Sequence, residues 1–377
     1  MDFELNQDQS MLQDALQRFV AGEYSFEQRA KFLNRANGFN KEIWSALAEQ
    51  GVLGIGLPEE YGGLGGPFET MVVMEQLGKG LVLEPFVSTV VLCGGLIARH
   101  ATPAQKGALL PRVIAGDCLL ALAHTEEGAR YQLDVVSAAA REHKGGYVLS
   151  GTKIVALDAP VANYLIVSAR EESSRGITLM LVDPTAPGVE LTSYRTQDGR
   201  SAANVSLKDV AIAKENIIGA PGNGLAILQE ALEHGIAALC AEAVGIIEAV
   251  NAATLDYLKS RQQFGQPIGR FQVLQHRMAD MFIMAVQARS MSILASGRVT
   301  AADIAVREHS LSAAKAFIGK AARYVGQQSV QLHGGMGMTA ELIVGHYFKR
   351  LTMINATFGD TDHHLGVVSN DILASKA

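Results

Sequence analysis

The stretch Arg261 to Gln272, RQQFGQPIGRFQ, puts an arginine, a phenylalanine and amide side chains into a turn broken by Gly265, Pro267 and Gly269. A guanidinium forks two donors onto a phosphate or carboxylate, and a phenylalanine offers a flat face to another ring. This suits capture of something anionic and planar; a polar turn closed by a C-terminal arginine is the structural alternative. A second candidate is Gln331 to Gly337, QLHGGMG, where Gly334 and Gly335 let backbone N–H groups approach a ligand closely. Read alone, that glycine pair is a turn. Titratable groups follow at Asp360, His363 and His364, while Glu233 and Glu242 flank Gly235 on a helical stretch, Glu242 among apolar neighbours.

The elements that must position these residues are mostly helical. Leu225, Leu228, Leu232, Ile236, Leu239, Ala243, Ile246 and Val250 recur at steps of three and four before the turn, and Leu274, Met278, Met281 and Ala285 do so after it. The same periodicity predicts helices at Gln7 to Ala21, Lys41 to Gly51, Glu69 to Gly78, Val87 to His100 and Ala104 to Ala115. From about Cys118 short β-branched and aromatic runs replace it. They predict strands at Tyr147 to Leu149, Tyr164 to Val167, Ile177 to Val182, Val189 to Tyr194 and Ala203 to Leu207. After Pro221-Gly222-Asn223-Gly224 the helical pattern returns over Leu225 to Ser260, Phe271 to Ser296 and Asp303 to Leu332, with a shorter helix near Ala340. The expected fold class is α+β, mainly α. It comprises an N-terminal helical domain over 1–117, a small middle β-barrel or sandwich over 118–220 and a C-terminal four-helix bundle over 221–377. Gly235, Gly245 and Gly319 mark close helix packing.

A chain of 377 residues with a net charge of -6 has material for several cores and no basic surface for nucleic acid or an anionic membrane. Cys93, Cys118 and Cys240 lack ligand-like spacing, so buried free thiols in a reducing cytoplasm are expected. No apolar run is expected to span a bilayer, which takes about 20 residues. The start, MDFELNQDQS, is polar and acidic, unlike a signal sequence. Ser375, Lys376 and Ala377 loosely echo a peroxisomal tail but read as a polar terminus.

The pattern R-x-x-F-G-x-P-I-x-x-F-Q resembles the helix-junction signature of the acyl-CoA dehydrogenase family. Pro58 to Gly63 (PEEYGG), Thr125 to Ala129 (TEEGA), Gln331 to Gly337 and Phe358 to Thr361 (FGDT) follow in the family's order. The resemblance implies the family's three-part architecture, an FAD cofactor, an acyl-CoA substrate and an electron-transfer flavoprotein as acceptor. It implies a homo- or hetero-oligomer, a dimer of dimers, in which one subunit holds the flavin ring and its neighbour grips the ADP half. The FAD contacts it implies are Arg261, Phe264, Gln331, Gly334, Gly335, Thr125 and Thr361.

Against that resemblance the chain departs at three places. Where the family has T-E-P-G-A-G-S-D, Arg130 and Tyr131 replace a small glycine-serine pair, although Arg130 could pair with phosphate. Where the family's hydroxyl meets the flavin edge stands Leu157, which donates nothing. At the family's catalytic glutamate stands Gly359, and the alternative helical position of that base falls on Gly235. Three readings follow. One is a base-lacking subunit working beside a catalytic dehydrogenase subunit, as in two-component enzymes acting on pimeloyl-like or steroid CoA thioesters. A second is a self-sufficient dehydrogenase with a relocated carboxylate, Asp360 or Glu242. The third is a flavin monooxygenase or nitroalkane oxidase of the same fold, against which the ADP-gripping residues argue, because FMN needs no such grip.

Overall fold

The structure is a computed structural model that describes residues 5–174 and 176–374, so the tail Ser375 to Ala377 lies outside the described residues. Helices α1 (Gln7–Glu23), α2 (Phe26–Leu33), α3 (Lys41–Glu49) and α4 (Pro67–Gly80) come first. A π-helical segment, Val87–Gly94, then runs into α5 (Gly95–His100), followed by α6 (Pro103–Ile114). Residues with the right side chains start these helices. Asn6 and Thr102 close capping boxes with Gln9 and Gln105, which satisfies N–H groups that a helix start leaves open.

Eight strands follow, β1 (Leu120–Ala123), β2 (Ala139–His143), β3 (Gly146–Leu157), β4 (Tyr164–Glu171), β5 (Ile177–Val182), β6 (Val189–Arg195), β7 (Ser201–Ile212) and β8 (Ile217–Ile218). They form one sheet in the order β6-β7-β3-β2-β4-β5-β8, with β1 beside β4. The pairs β1–β4 and β2–β4 are parallel, and the rest are antiparallel. Leu149, Leu165, Val167, Val182, Ala203 and Val205 make up part of its fully buried core. Strands β1 and β2 carry no readable strand signal. The first is an unbroken apolar run, LALA, and the second, AAREH, has low β-propensity and is held by strands on both sides.

The chain closes with α7 (Gly224–Ser260), two short strands β9 (Gln262–Gln263) and β10 (Gln266–Pro267), α8 (Gln272–Arg298), α9 (Ile304–His333), α10 (Ile343–Ala356) and α11 (Thr361–Ala374). The shorter helix expected near Ala340 starts at Ile343, and a second one follows it. Contrary to the sequence reading, α7 is long and apolar enough to cross a membrane by length and composition. Yet 72% of its apolar window is buried inside the protein, as in a core helix. Cys93, Cys118 and Cys240 are free and buried.

Two compact units divide the chain, one of Met1–Ala30, Pro67–Val82 and Ile236–Ala377, the other of Lys31–Gly66 and Leu83–Gly235. In the first unit α4 and α7 cross at backbone contact. A Cβ on Gly78 would meet the Glu242 carbonyl oxygen at 2.4 Å, and one on Gly245 would meet that of Glu75 at 2.0 Å. The crossing carries a charge network. Arg289 on α8 donates to both oxygens of the buried Glu75 at 3.1 and 3.2 Å and to Glu248 at 2.9 Å, and Lys79 lies 3.3 Å from Glu248. Burial pushes the Glu75 carboxyl up, and the Arg289 charge opposes this. Nearby, the buried Arg29 of α2 donates to the carbonyl of Leu81, which holds this eight-residue helix in place although it is too short to persist alone.

Helix α9 starts on Asp303, whose carboxylate accepts from the N–H groups of Ala305 and Val306. Its Gly319 faces Asn355 and Thr361, which a Cβ would meet at 2.2 and 2.5 Å. Gly245 and Gly319 are thus used for packing within the chain. Gly245→Ala is expected to destabilise the fold by about 3 kcal/mol or more, because backbone rather than a flexible side chain blocks the methyl. Urea denaturation checks this, and a loss below about 1 kcal/mol would show that the helices can part.

Candidate active site

The junction signature folds as a hairpin. Strands β9 and β10 pair Gln263 with Gln266 and Gln262 with Pro267, and the Ile268 N–H donates to the Arg261 carbonyl at 2.9 Å. Two residues are left for the turn, Phe264 at φ +53° and Gly265 at φ +77°. Positive φ at both places is what a type I′ hairpin turn demands, and asparagine-glycine fills it most readily. Phenylalanine there is strained, and its ring is 88% exposed, braced edge-on by Phe271 with centroids 5.9 Å apart. Strain and exposure together at one aromatic favour a binding role over a packing role.

A stack between helix ends brings the other half of this site alongside. Tyr257 lies face to face with His333, centroids 4.3 Å apart and 28° between planes, and its hydroxyl donates to the His333 carbonyl at 3.5 Å. Arg261 begins one turn after Tyr257, its N–H donating to the Tyr257 carbonyl, while Gly334 directly follows His333. Arg261, Phe264, Gln331, Gly334 and Gly335 are therefore gathered on the exposed ends of α7 and α9. The Arg261 guanidinium has no partner among the described residues. Gly334 sits at φ +60°, and neither Gly334 nor Gly335 has any atom within 4 Å of where a Cβ would be. An uncommitted cation, an offered ring and an open glycine pair fit an anionic dinucleotide.

The connection between α10 and α11 is arranged in the opposite way, with every group engaged. Gly359 lies at φ +109°, and a Cβ there would meet His364 Nε2 at 2.4 Å and His363 Cδ2 at 2.7 Å. Asp360 caps α11, its Oδ1 accepting from the His363 N–H at 2.9 Å. The Thr361 hydroxyl donates to Asn355 Oδ1 at 2.9 Å. Glu242 is clasped by Arg350 through two 2.6 Å contacts, and both are buried. Glu233, on the stretch of α7 in the second unit, is buried as well.

Lys315, which sequence reasoning passed over, and His364, which it named only as a titratable group, hold this connection together. Lys315 of α9 is buried, and its ammonium donates to the carbonyls of Asn355 at 3.0 Å and Gly359 at 2.6 Å. Burial lowers its pKa to about 8, with the Cys240 and Asp360 charges opposing. His364 accepts or donates at both ring nitrogens, Nδ1 with Ser312 Oγ at 3.1 Å and Nε2 with the Phe358 carbonyl at 3.0 Å. A carbonyl only accepts, so Nε2 carries the proton and Nδ1 receives the serine hydroxyl. A signal for Lys315 was available, since Leu311 and Ile318 at helical spacing mark its face as a core face.

In the second unit the TEEGA segment is anchored by Glu126, not by Thr125. The Glu126 carboxylate accepts from Ser137 N at 2.7 Å, Ala138 N at 3.0 Å and the fully buried Lys153 Nζ at 2.6 Å. Burial works against the charge, but Lys153 and the two amides outweigh it and hold the carboxyl below its usual range. The Thr125 carbonyl accepts from Ile154 N at 2.8 Å, and its hydroxyl lies 3.3 Å from His124. Arg130 is exposed at φ +48° with no side-chain partner among the described residues, and Tyr131 is half-buried. Past Lys153, β3 bulges, and Val155 adopts φ +51°, an outlier for a β-branched residue, just before the half-buried Leu157.

Fold and motif geometry together define a flavin-dependent oxidoreductase acting on CH–CH bonds. The acyl-CoA dehydrogenase N-terminal domain matches residues 6–117, the middle domain 121–210 and the C-terminal domain 222–373. The 2-methylacyl-CoA dehydrogenase of Solanum tuberosum mitochondria is 30% identical, over 96% of this chain and 91% of its own length. The chain belongs to the acyl-CoA dehydrogenase family, whose cofactor is FAD. Among solved structures it is similar to the ChsE4-ChsE5 complex from Mycobacterium tuberculosis, with TM-score 0.90, 26% identity and 99% of each chain covered. It is also similar to the FAD complex of PigA, with TM-score 0.91, 25% identity and 99% of each chain covered.

His364 makes acid stability testable. Burial, with the Lys315 and His363 charges adding to it, lowers its pKa to about 4 from an ordinary 6.5. Between those values the unfolded chain binds the proton and the folded one does not. The contribution is therefore complete above about pH 6.5 and is lost toward pH 4, up to about 3 kcal/mol. His364→Asn should flatten the fall in urea-denaturation stability across that window; an unaltered slope would show that other groups set it.

Proposed function

We propose that this chain is the base-lacking subunit of a heteromeric FAD-dependent acyl-CoA dehydrogenase. It grips the ADP half of a flavin whose ring and catalytic carboxylate belong to a partner chain. The observation that carries this reading is a contrast within one helical unit. The group at the ADP-gripping end, Arg261, is uncommitted, whereas the connection at Gly359 has no room for a side chain. The ChsE4-ChsE5 structure, by its name a complex of two proteins, lends the heteromeric arrangement support.

Bound FAD would supply the acceptor for a hydride from the β-carbon of an acyl-CoA thioester, with the partner chain's carboxylate as the base for the α-proton. Arg261 would neutralise the pyrophosphate as a permanent cation, Phe264 would wall a ring, and the Gly334-Gly335 backbone would approach without a Cβ between. Arg130 would offer a further cation to phosphate. For the proton, Asp360 serves α11 and Glu242 serves Arg350, so a self-sufficient enzyme finds less support. A monooxygenase or nitroalkane oxidase would leave the ADP grip unexplained. An electron-transfer flavoprotein as acceptor and a cytoplasmic location complete the proposal.

The chain purified alone is expected to hold well under one FAD per protomer and to show no anaerobic flavin bleaching with butyryl-CoA, octanoyl-CoA or a steroid-CoA. Co-expression with a dehydrogenase chain of the same genome that carries the family glutamate should restore both. Full FAD occupancy with rapid bleaching by the chain alone would sink the proposal. In the complex, Arg261→Ala should weaken FAD retention roughly 10- to 100-fold, the worth of one charge-assisted hydrogen bond or a bidentate pair.

A further inference from the structure

We propose that the α10–α11 connection is locked against any side chain at position 359 by Lys315 and His364, so that the lack of a base there is enforced by α9, α10 and α11 jointly. Its functional meaning rests on the base-lacking reading above; its structural content does not. Three carbonyls fix the backbone, those of Asn355 and Gly359 on Lys315 Nζ and that of Phe358 on His364 Nε2. Phe358 at φ +59° and Gly359 at φ +109° are the twisted conformations that these bonds impose. Aspartate capping by Asp360 and the Thr361–Asn355 bond hold the next two residues, and Gly319 gives that pair its room on α9.

The lock is tight because the imidazole of His364 stands where the missing side chain would begin. Its Nε2 and Cδ2 lie 2.4 and 2.9 Å from a Cβ built on Gly359; Cδ2 of His363 lies 2.7 Å away but on an exposed side chain, whereas His364 is buried. The ring cannot swing aside without giving up the part-buried Phe358 carbonyl and the buried Ser312 hydroxyl. Nor can the backbone turn over, since Lys315 would then leave the Gly359 carbonyl while its own charge stayed buried. A glutamate introduced at 359 therefore meets two obstacles, a backbone that L-residues rarely adopt and a ring already in its path.

A double-mutant cycle on folding tests this. Gly359→Ala is measured by urea denaturation in the parent and in a His364→Ala background. The substitution should lower the folding equilibrium constant in both, because φ +109° persists. In the His364→Ala background the loss should be about tenfold smaller. Equal losses in the two backgrounds would overturn the lock. If Gly359→Ala does not fold in the parent, recovery of soluble, cooperatively unfolding protein with His364→Ala supports it. No recovery with either His364→Ala or His364→Gly overturns it. The cycle reads stability alone, so it stands or falls separately from the flavin-bleaching assay that decides the base-lacking reading.

Discussion

The crossing of α4 and α7 at backbone distance is the constraint on which the helical unit depends. With Gly78 against the Glu242 carbonyl and Gly245 against that of Glu75, the two helices share one contact plane and cannot slide by a residue. That fixes the carboxylates along α7. Glu248 turns to Arg289 and Lys79, while Glu242 turns to Arg350 on α10. The Glu242–Arg350 pair is buried and the Glu248 pairs are part-exposed, and such ion pairs contribute position more reliably than they contribute stability. Through Arg350 the crossing sets α10, and through α10 it sets where the connection to α11 begins.

From that frame the unit presents two ends of contrasting character. At the ends of α7 and α9 the Tyr257–His333 stack draws Arg261 beside Gly334 and leaves polar and aromatic groups uncommitted toward solvent. At the α10–α11 connection Lys315, His364, Asp360 and Thr361 are engaged by nearby backbone groups, Ser312 and Asn355. Groups free to bind and groups already bound are the physical difference between a cofactor grip and a scaffold. Family membership alone does not distinguish them.

Much of the architecture was legible because apolar spacing reports burial directly. The long helices and five of the eight large-sheet strands lie where the 3.6- and two-residue patterns place them. The Arg261 turn was found because arginine, phenylalanine and glycine stand close in sequence. What stayed hidden depends on partners distant in the chain. Strand β2 has too few apolar residues to declare itself, and α2 is held by Arg29 reaching Leu81. Glu126 looks like one acid of a polar run until Lys153 and two amides converge on it. Asp360 and Glu242 show in the sequence as carboxyls, whereas the helix cap and the Arg350 clasp that engage their oxygens show only in the fold. The membrane expectation also shifted for this reason, since α7 is apolar enough to span a bilayer and is instead enclosed by its own chain.

The filled space beside Gly359 bears on how such a chain can change over evolutionary time. A single substitution to glutamate at that position would fall into an imidazole and an unfavourable backbone at once. A side chain at position 359 would need His364 to shrink first, so more than one substitution separates this chain from one that carries a carboxylate there. On the base-lacking reading proposed above, the packing around one glycine would hold the chain to cooperation with a partner.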